Sequence, residues 1–342
     1  MLVHLGIARR LALALSVPLA LALGLGASIV IDAWSRMHDA DKVRTVMQIA
    51  PALGGFVHQV QTERGLTNTM LRNANDAAVV QSRREQMVKV DSAVEELRRA
   101  LSLVPSSAEG GALAKIRTFD ATIARLSGLR ARVEARQIPP PEAVGKYTAL
   151  VEEAIAPIEA LAQDQRAVTV LRTLLAYTSV IRAKEAAGLE RATGAGAFKP
   201  EGFDKSVLPR FLALGAAQES LLGVVRRLGL PDHAAAVSAL ATRPSEAPVV
   251  ALRARAVKAA LDGEPGIAPL EWFRASTARM EEMKKLEDQL SADLVAAVDG
   301  VAASARSTLI MAIVVIGLGL ALAVATGLAM ARSITRPLTR MT

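Results

Sequence analysis

The stretch at 53–71, LGGFVHQVQTERGLTNTML, decides the fold class, because its core-facing positions recur every three or four residues. These positions are Leu53, Val57, Val60, Arg64, Thr67 and Leu71. The 4-3-4-3-4 spacing puts them on one stripe of a helix and is typical of a helix that packs in a bundle. The stretch therefore predicts a bundle helix that directs the guanidinium of Arg64 at its core.

The rest of the chain also has the pattern of an all-helical protein. Aromatic residues make up only 3% of it, and no long stretch alternates with a period of two. Proline and glycine clusters, such as Val104-Pro105, 138–142 and the predicted loop at 193–202, divide the helices. Helices are predicted near 36–74, 76–104, 107–136, 141–165, 166–193, 204–229, 232–242, 246–261 and 270–336. Short connections favour antiparallel neighbours, so we expect two four-helix bundles.

Two uncharged apolar stretches lie at opposite ends of the chain, at 11–31 and 308–331. Each lacks Asp, Glu, Lys and Arg over at least 21 residues, or roughly 31 Å of helix, enough to cross a hydrocarbon core. Arginines flank them on their outer sides: Arg9, Arg10, Arg332, Arg336 and Arg340. Short basic flanks stay cytoplasmic, so the pattern predicts two transmembrane helices around an extracytoplasmic helical domain.

The predicted segments run from a cytoplasmic tail to a linker. They are the tail (1–10), the first transmembrane helix (11–31), the extracytoplasmic sensor domain (32–307), the second transmembrane helix (308–331) and the start of a linker (332–342). This predicts an inner-membrane protein with a periplasmic or extracellular sensor domain. A cleaved signal peptide is the alternative for the N-terminus, although the apolar run is longer than a usual signal sequence.

A second arginine, Arg191, lies in a setting similar to that of Arg64. It ends a seam formed by Val170, Leu174, Tyr177, Ile181, Lys184 and Gly188. Each arginine follows a glutamate, and a glycine lies beside it or one turn before it. A buried guanidinium is costly unless it meets a carboxylate or an anion. Each arginine could pair with a glutamate of another helix, but two like charges facing one pocket favour a planar oxyanion between them.

Three segments resemble motifs of the nitrate- and nitrite-sensing (NIT) domain family. They are VHQVQTERGLT at 57–67, KEAAGLERA at 184–192 with Gly-Ala-Phe at 196–198, and PLEWFRAST at 269–277 with Leu-Glu-Asp at 286–288. They occur in the family's order and span about 45–295 of the chain. The resemblance implies a pair of four-helix bundles that binds nitrate or nitrite through arginines.

Carried over residue by residue, the resemblance implies that Arg64 and Arg191 bind the anion. A third arginine on a later helix would complete the site, and Arg226, Arg253 and Arg255 are open choices, with Arg253 as the candidate. The predicted supporting residues are Glu63, Gly65, Thr67, Gly188 and Glu190. The glycines leave room for a small ligand, and the two glutamates are interpreted as partners in salt bridges or structural hydrogen bonds.

The C-terminal segment at 331–341, ARSITRPLTRM, is similar to the opening of a HAMP linker. In that family a basic residue leaves the membrane and a Pro-Leu step begins an amphipathic helix. A plain stop-transfer flank is the alternative. Because no strong helix breaker lies between Pro269 and Pro337, one helix is predicted to run through 308–331.

These observations combine into a predicted transmembrane sensor module. Nitrate or nitrite would bind outside, and the second transmembrane helix would signal through a HAMP linker to a chemotaxis or two-component output. The expected partners are a second copy in a homodimer, a cytoplasmic signalling domain or kinase complex, and the membrane. The alternatives are a helical sensor of an organic acid and a periplasmic protein-interaction module.

The sequence gives little support to other chemistry. The chain has no cysteine, and its four histidines are scattered and lack His-Glu-x-x-His spacing, so no metal site is predicted. No nucleophile elbow, Walker loop or kinase signature occurs, so we expect no enzyme, no catalytic residue and no cofactor. The flanking arginines account for most of the net charge of +8, and aromatics are too few for base stacking, so no nucleic-acid partner is predicted.

Overall fold

The computed structural model of the chain describes residues 7–72, 77–103, 115, 119–162 and 165–338, which are almost entirely helical. The helices are α1 (Ile7–Met47), α2 (Ile49–Arg72), α3 (Ala77–Ser102), α4 (Phe119–Glu134), α5 (Pro140–Ala160), α6 (Val168–Ala197), α7 (Leu208–Leu228), α8 (Pro231–Leu240), α9 (Glu246–Leu261) and α10 (Pro269–Leu338). A short antiparallel hairpin pairs β1 (Phe198–Lys199) with β2 (Gly202–Phe203), and a 3-10 turn follows at Lys205–Val207. The predicted all-α class is confirmed, while its division into two four-helix bundles stays a prediction.

Most helix ends follow the predicted breakers. Proline is the first residue of α5, α8 and α10, where its missing N–H costs no helical hydrogen bond. Gly263 follows α9 with a φ of +72°, a conformation that favours glycine. The predicted helix at 36–74 is instead two helices, because a turn at Gln48 separates α1 from α2. The predicted break at Val104-Pro105 lies outside the described residues.

The segment predicted as a loop at 193–202 is the clearest difference. Helix α6 continues to Ala197, and the hairpin of β1 and β2 takes the remaining residues. The indole of Trp272 packs on this last turn, and a Cβ on Gly194 would lie 2.3 Å from its Nε1. Gly194 therefore allows close packing against Trp272 and does not end the helix.

One compact unit consists of residues 45–298. In it α2 packs against α3, α5 and α6, and α6 packs against α7. Near the C-terminal end of α6, four aromatic side chains form a buried cluster: Phe198, Phe203, Phe211 and Trp272. Ring centroids lie 4.8 Å apart for Phe198 and Phe203 and 5.0 Å apart for Phe211 and Trp272. The cluster anchors the hairpin and α7 beside the helices that carry the two candidate arginines.

The second compact unit consists of the described residues up to 44 and from 299 onward. Within it Arg44 Nε donates to Asp299 Oδ1 over 2.5 Å, and many large apolar side chains of 21–31 and 310–328 are exposed. In the part of the chain that the structure describes, two helical stretches, Ala20–Arg72 and Pro269–Ala329, are long and apolar enough to cross a membrane by length and composition alone. The predicted unbroken helix from Pro269 through 308–331 is confirmed by α10.

Candidate functional site

Arg64 is held by a carboxylate on α6. Only 2% of Arg64 is exposed, and its Nη1 and Nη2 donate to Glu185 Oε1 and Oε2 over 2.5 and 2.9 Å. Nη1 also donates to Thr148 Oγ1 on α5 over 2.9 Å. Gln61 Nε2 donates to Glu185 Oε2 over 2.8 Å and fixes the carboxylate from α2. The charge of Arg64 is therefore balanced inside the protein by a bidentate ion pair.

Arg191 on α6 is also buried, but its described contacts are of a different kind. Its Nη1 donates to Thr277 Oγ1 on α10 over 2.9 Å, and its guanidinium carbon lies 4.9 Å from the ring centroid of Phe273. The indole N–H of Trp272 donates to the Arg191 carbonyl oxygen over 3.0 Å. Among the described residues, no carboxylate forms an ion pair with Arg191. Burial, followed by the positive charge of Arg64, lowers the pKa of Arg191 from 12.5 to about 10.

The two arginines lie over each other's glycines. A Cβ on Gly188 of α6 would be 2.9 Å from Arg64 Nη2, and a Cβ on Gly65 of α2 would be 2.8 Å from Arg191 Nη2. Any side chain at either position would displace the facing guanidinium. The structure thus brings together four of the sequence-predicted site residues. Two are the arginines, and the other two are the glycines that make room for them.

Glu63 and Thr67 contact a different set of residues. The fully buried carboxylate of Glu63 accepts hydrogen bonds from Arg130 Nε (2.9 Å) and Nη2 (2.6 Å) and from the Tyr147 hydroxyl (2.6 Å). Thr67 Oγ1 accepts a hydrogen bond from Arg83 Nε over 2.9 Å. Burial, and then the charge of Glu63, raises the pKa of Tyr147. These two predicted residues tie α2 to α3, α4 and α5, and neither contacts Arg64 or Arg191 through its described hydrogen bonds.

Glu190 is paired with the third candidate arginine. Arg253 Nε and Nη2 donate to Glu190 Oε1 and Oε2 over 2.6 and 2.7 Å, so the charge of Arg253 is balanced one residue away from Arg191. The other two candidates pair elsewhere, Arg226 with Glu219 and Arg255 with Glu264. Arg253 is thus the candidate whose ion-pair partner is the chain neighbour of Arg191, but its described hydrogen bonds already go to Glu190 and Gln218.

Next to Glu185, the buried Lys184 lies against the half-buried His58. Lys184 Nζ forms an ion pair with Glu287 and lies 3.4 Å from His58 Nδ1. Burial, with a smaller effect from the charge of Lys184, lowers the pKa of His58 to about 3. His58 is therefore neutral at neutral pH, and the Lys184–Glu287 pair adds no net charge to the site.

A cleft of about 490 Å³ borders the Arg64 side of the site. Its wall includes Thr148, whose hydroxyl accepts the hydrogen bond from Arg64 Nη1. Other polar or charged residues that line it are Asn68, Arg72, Thr193, Asp204 and Arg210. Because Arg72 and Arg210 are exposed, the cleft has cations at its solvent side. Thr148 in its wall contacts Arg64.

Sequence reasoning missed Glu185, Thr148, Phe273 and Thr277. Phe273 and Thr277 lie in the motif-like segment at 269–277, and Glu185 lies in the motif-like segment at 184–192. Glu185 precedes Gly188 by three residues, so both lie on the helix face that meets Arg64. Their roles depend on contacts between helices far apart in the sequence. Among the described residues, no group of three His, Asp or Glu side chains is arranged to hold a metal ion.

Comparison with known proteins gives a family, a relative and a solved structure. A family model described as nitrate and nitrite sensing matches residues 55–295. The nitrate regulatory protein of Klebsiella oxytoca is 25% identical over 251 residues, which cover 73% of this chain and 63% of that protein. The structure of the NasR transcription antiterminator superposes with a TM-score of 0.68 at 23% identity, covering 84% of this chain and 82% of that one. The likeness to that structure concerns the fold.

These comparisons overturn three predictions. The transmembrane sensor that signals through a HAMP linker is wrong, because the matched proteins are a regulatory protein and a transcription antiterminator. The inner-membrane location and the membrane-embedded assembly without a nucleic-acid partner are contradicted on the same ground. The physical reason is that length and apolar composition are weak evidence for a membrane span, since signal sequences and core helices pass the same test.

The resemblance that the sequence motifs suggested is confirmed at the level of the family. The matched region begins within α2 and contains α3 to α9 and the part of α10 that carries Phe273 and Thr277. The chain spans only 63% of the length of the curated relative that it matches. Because the family model covers well over half of the sequence, the chain belongs to the NIT family, described as nitrate and nitrite sensing.

Proposed function

We propose that the unit at 45–298 senses nitrate or nitrite, and that the anion binds between Arg64 and Arg191. The observation that carries this proposal is the buried guanidinium of Arg191, which has no carboxylate partner among the described residues and lies beside the glycine that follows Arg64. A buried, unpaired charge is destabilising, and an anion that pairs with it removes that cost. Family membership supports the identity of the anion.

The unused donors of the two guanidiniums suit a planar oxyanion. An arginine has five N–H donors in one plane. The described hydrogen bonds of Arg64 use two on Nη1 and one on Nη2, which leaves Nε–H and one Nη2–H on the same edge. The described hydrogen bonds of Arg191 use one Nη1–H. Two coplanar N–H groups match two oxygens of nitrate or nitrite, an arrangement that lysine does not offer.

The expected affinity is moderate because the ligand is small. Nitrate has four heavy atoms, and a ceiling of about 1.5 kcal/mol for each limits the binding free energy to about 6 kcal/mol. This corresponds to a Kd of roughly tens of micromolar. We propose that the anion reaches the site through the cleft bordered by Thr148. The exposed Arg72 and Arg210 in its wall raise the local anion concentration.

Anion binding would change how three helices pack. Arg64, Arg191 and Thr277 belong to α2, α6 and α10, and without a ligand the like charges of the two arginines repel. A bound anion removes this repulsion and favours a closer packing of α2 on α6. Because the matched proteins are a nitrate regulatory protein and a transcription antiterminator, we propose that this shift serves a regulatory output and that the chain catalyses no reaction.

Calorimetric titration of the purified 342-residue chain with sodium nitrate and sodium nitrite tests the proposal. We expect saturable heat, and at least a tenfold weaker affinity in Arg191→Ala. Arg182→Ala is the matched control, because Arg182 lies on the same helix but pairs with Glu152 and Glu159. Equal affinity in Arg191→Ala and the native chain would contradict the site, and absence of heat with both anions would contradict the ligand.

A further inference from the structure

The charge of the anion site is set by three buried groups. Arg64 and Arg191 each contribute one positive charge, and Glu185, with 3% exposed, contributes one negative charge. The neighbouring ion pairs Lys184–Glu287 and Arg253–Glu190 are neutral as pairs, and His58 is uncharged at neutral pH because its pKa is about 3. Counted over these described groups, the site has a net charge of one positive unit.

Glu185 is a fixed part of the site and leaves the ligand edge of Arg64 open. Its two carboxylate oxygens accept hydrogen bonds from Nη1 and Nη2 of Arg64, and Oε2 also accepts one from Gln61 Nε2 over 2.8 Å. Three charge-assisted or buried hydrogen bonds are more than a small anion offers in exchange, so displacement of Glu185 is unfavourable. A ligand thus meets Arg64 with its carboxylate still in place.

We propose that Glu185 makes the site selective for anions of a single negative charge. This inference rests on the proposed function. A monoanion such as nitrate brings the buried charge to zero, whereas a dianion such as sulfate leaves one uncompensated negative charge in a desolvated site. Uncompensated buried charge is strongly disfavoured. Selectivity then comes from a repulsive element, the carboxylate of Glu185, as well as from the attraction of the two arginines.

The test compares two anions of the same shape and different charge. Perchlorate and sulfate are both tetrahedral, with one and two negative charges, so their ratio of affinities isolates charge from geometry. Each is titrated as a competitor of nitrate against the full chain and against Glu185→Gln. We expect perchlorate to compete at least tenfold better than sulfate in the native chain, and the sulfate-to-perchlorate affinity ratio to rise at least tenfold in Glu185→Gln.

Two further variants separate the role of Glu185 from general effects. Glu153→Gln on α5 removes the same charge from the exposed ion pair between Glu153 and Arg125 of α4, and it should leave the ratio unchanged. Glu185→Asp keeps the charge and should keep the preference for perchlorate. If Glu185→Gln does not fold, the relative affinities of the native chain and of Glu185→Asp for perchlorate and sulfate still test the inference.

Several results would overturn the inference. Native protein that binds sulfate as well as perchlorate, or an unchanged ratio in Glu185→Gln, contradicts selection by charge even when nitrate binds and the proposed function holds. Exclusion of both tetrahedral anions from both proteins would show that shape selects the ligand, which also overturns it. If neither nitrate nor nitrite binds to the native chain, the proposed function fails and this inference fails with it.

Discussion

Arg191 Nη2 lies 2.8 Å from the point at which a Cβ on Gly65 would stand, so the guanidinium of one helix rests on the bare backbone of the other. The mirrored contact joins Arg64 Nη2 and Gly188 at 2.9 Å. Glycine at both positions lets α2 and α6 bring two cations into one buried site. The candidate site thus depends on missing side chains as much as on charged ones.

Gly65→Ala should weaken anion binding by about tenfold or more, because the new methyl group pushes Arg191 off its position and overpacks the site. Gly55→Ala on the same helix is the control, since a Cβ there meets nothing within 4 Å. Nitrate titration by calorimetry measures the affinity of both variants. Native affinity in Gly65→Ala would show that the ligand does not use Arg191 in its present position.

Thr277→Val should weaken nitrate binding by about tenfold, because it removes the hydroxyl that holds the cationic Arg191 Nη1 while keeping the side-chain shape. Thr173→Val is the matched control: Thr173 is buried on α6, but its hydroxyl bonds to the carbonyl of Thr169 in the same helix. Equal losses of affinity in both variants would mean that the effect comes from general destabilisation.

Gly194→Ala should lower the free energy of unfolding by about 2 kcal/mol. Its Cβ would stand 2.3 Å from Trp272 Nε1, so the indole must move and lose its hydrogen bond to the Arg191 carbonyl. Urea denaturation followed by circular dichroism measures the change. Gly128→Ala on α4, where a Cβ meets nothing within 4 Å, should not destabilise the protein. Similar stability of the two variants would refute the packing argument.

Acid should destabilise the protein through His58. Its pKa is lowered from 6.5 to about 3 in the folded chain, so between these values the unfolded chain binds more protons. The free energy of unfolding then falls as pH falls through this window, with a slope of up to about 1.4 kcal/mol per pH unit from this group. We expect urea denaturation at pH 4.5 and 6.5 to show a smaller difference in His58→Gln than in the native chain. Identical differences would exclude a role for His58.

Sequence periodicity predicted much of the fold and part of the site. The seam at 53–71 led to α2 and to the burial of Arg64, and prolines marked the starts of α5, α8 and α10. The prediction of a loop at 193–202 was wrong, because closely spaced glycines occur both in turns and where helices pack closely. Only the contact with Trp272, far along the chain, decides between the two.

The same limit applied to the apolar stretches at 11–31 and 308–331. Their length and composition predicted a membrane receptor, an assignment that the regulatory relatives contradict. Apolar composition shows that a segment is stabilised by leaving water, and this holds for core helices and signal sequences as well as membrane spans. The location of a protein therefore does not follow from it alone.

The sequence by itself determined the helical class, most helix boundaries, the burial of both arginines and the motifs that carry the family. The tertiary structure decided the pairing of charges: Glu185 neutralises Arg64, Glu190 neutralises Arg253, and Arg191 has no such partner among the described residues. Helical spacing fixes the face on which a side chain lies. Which charge from a distant helix comes within ion-pairing distance depends on how the helices pack, and that distance sets the electrostatic energy.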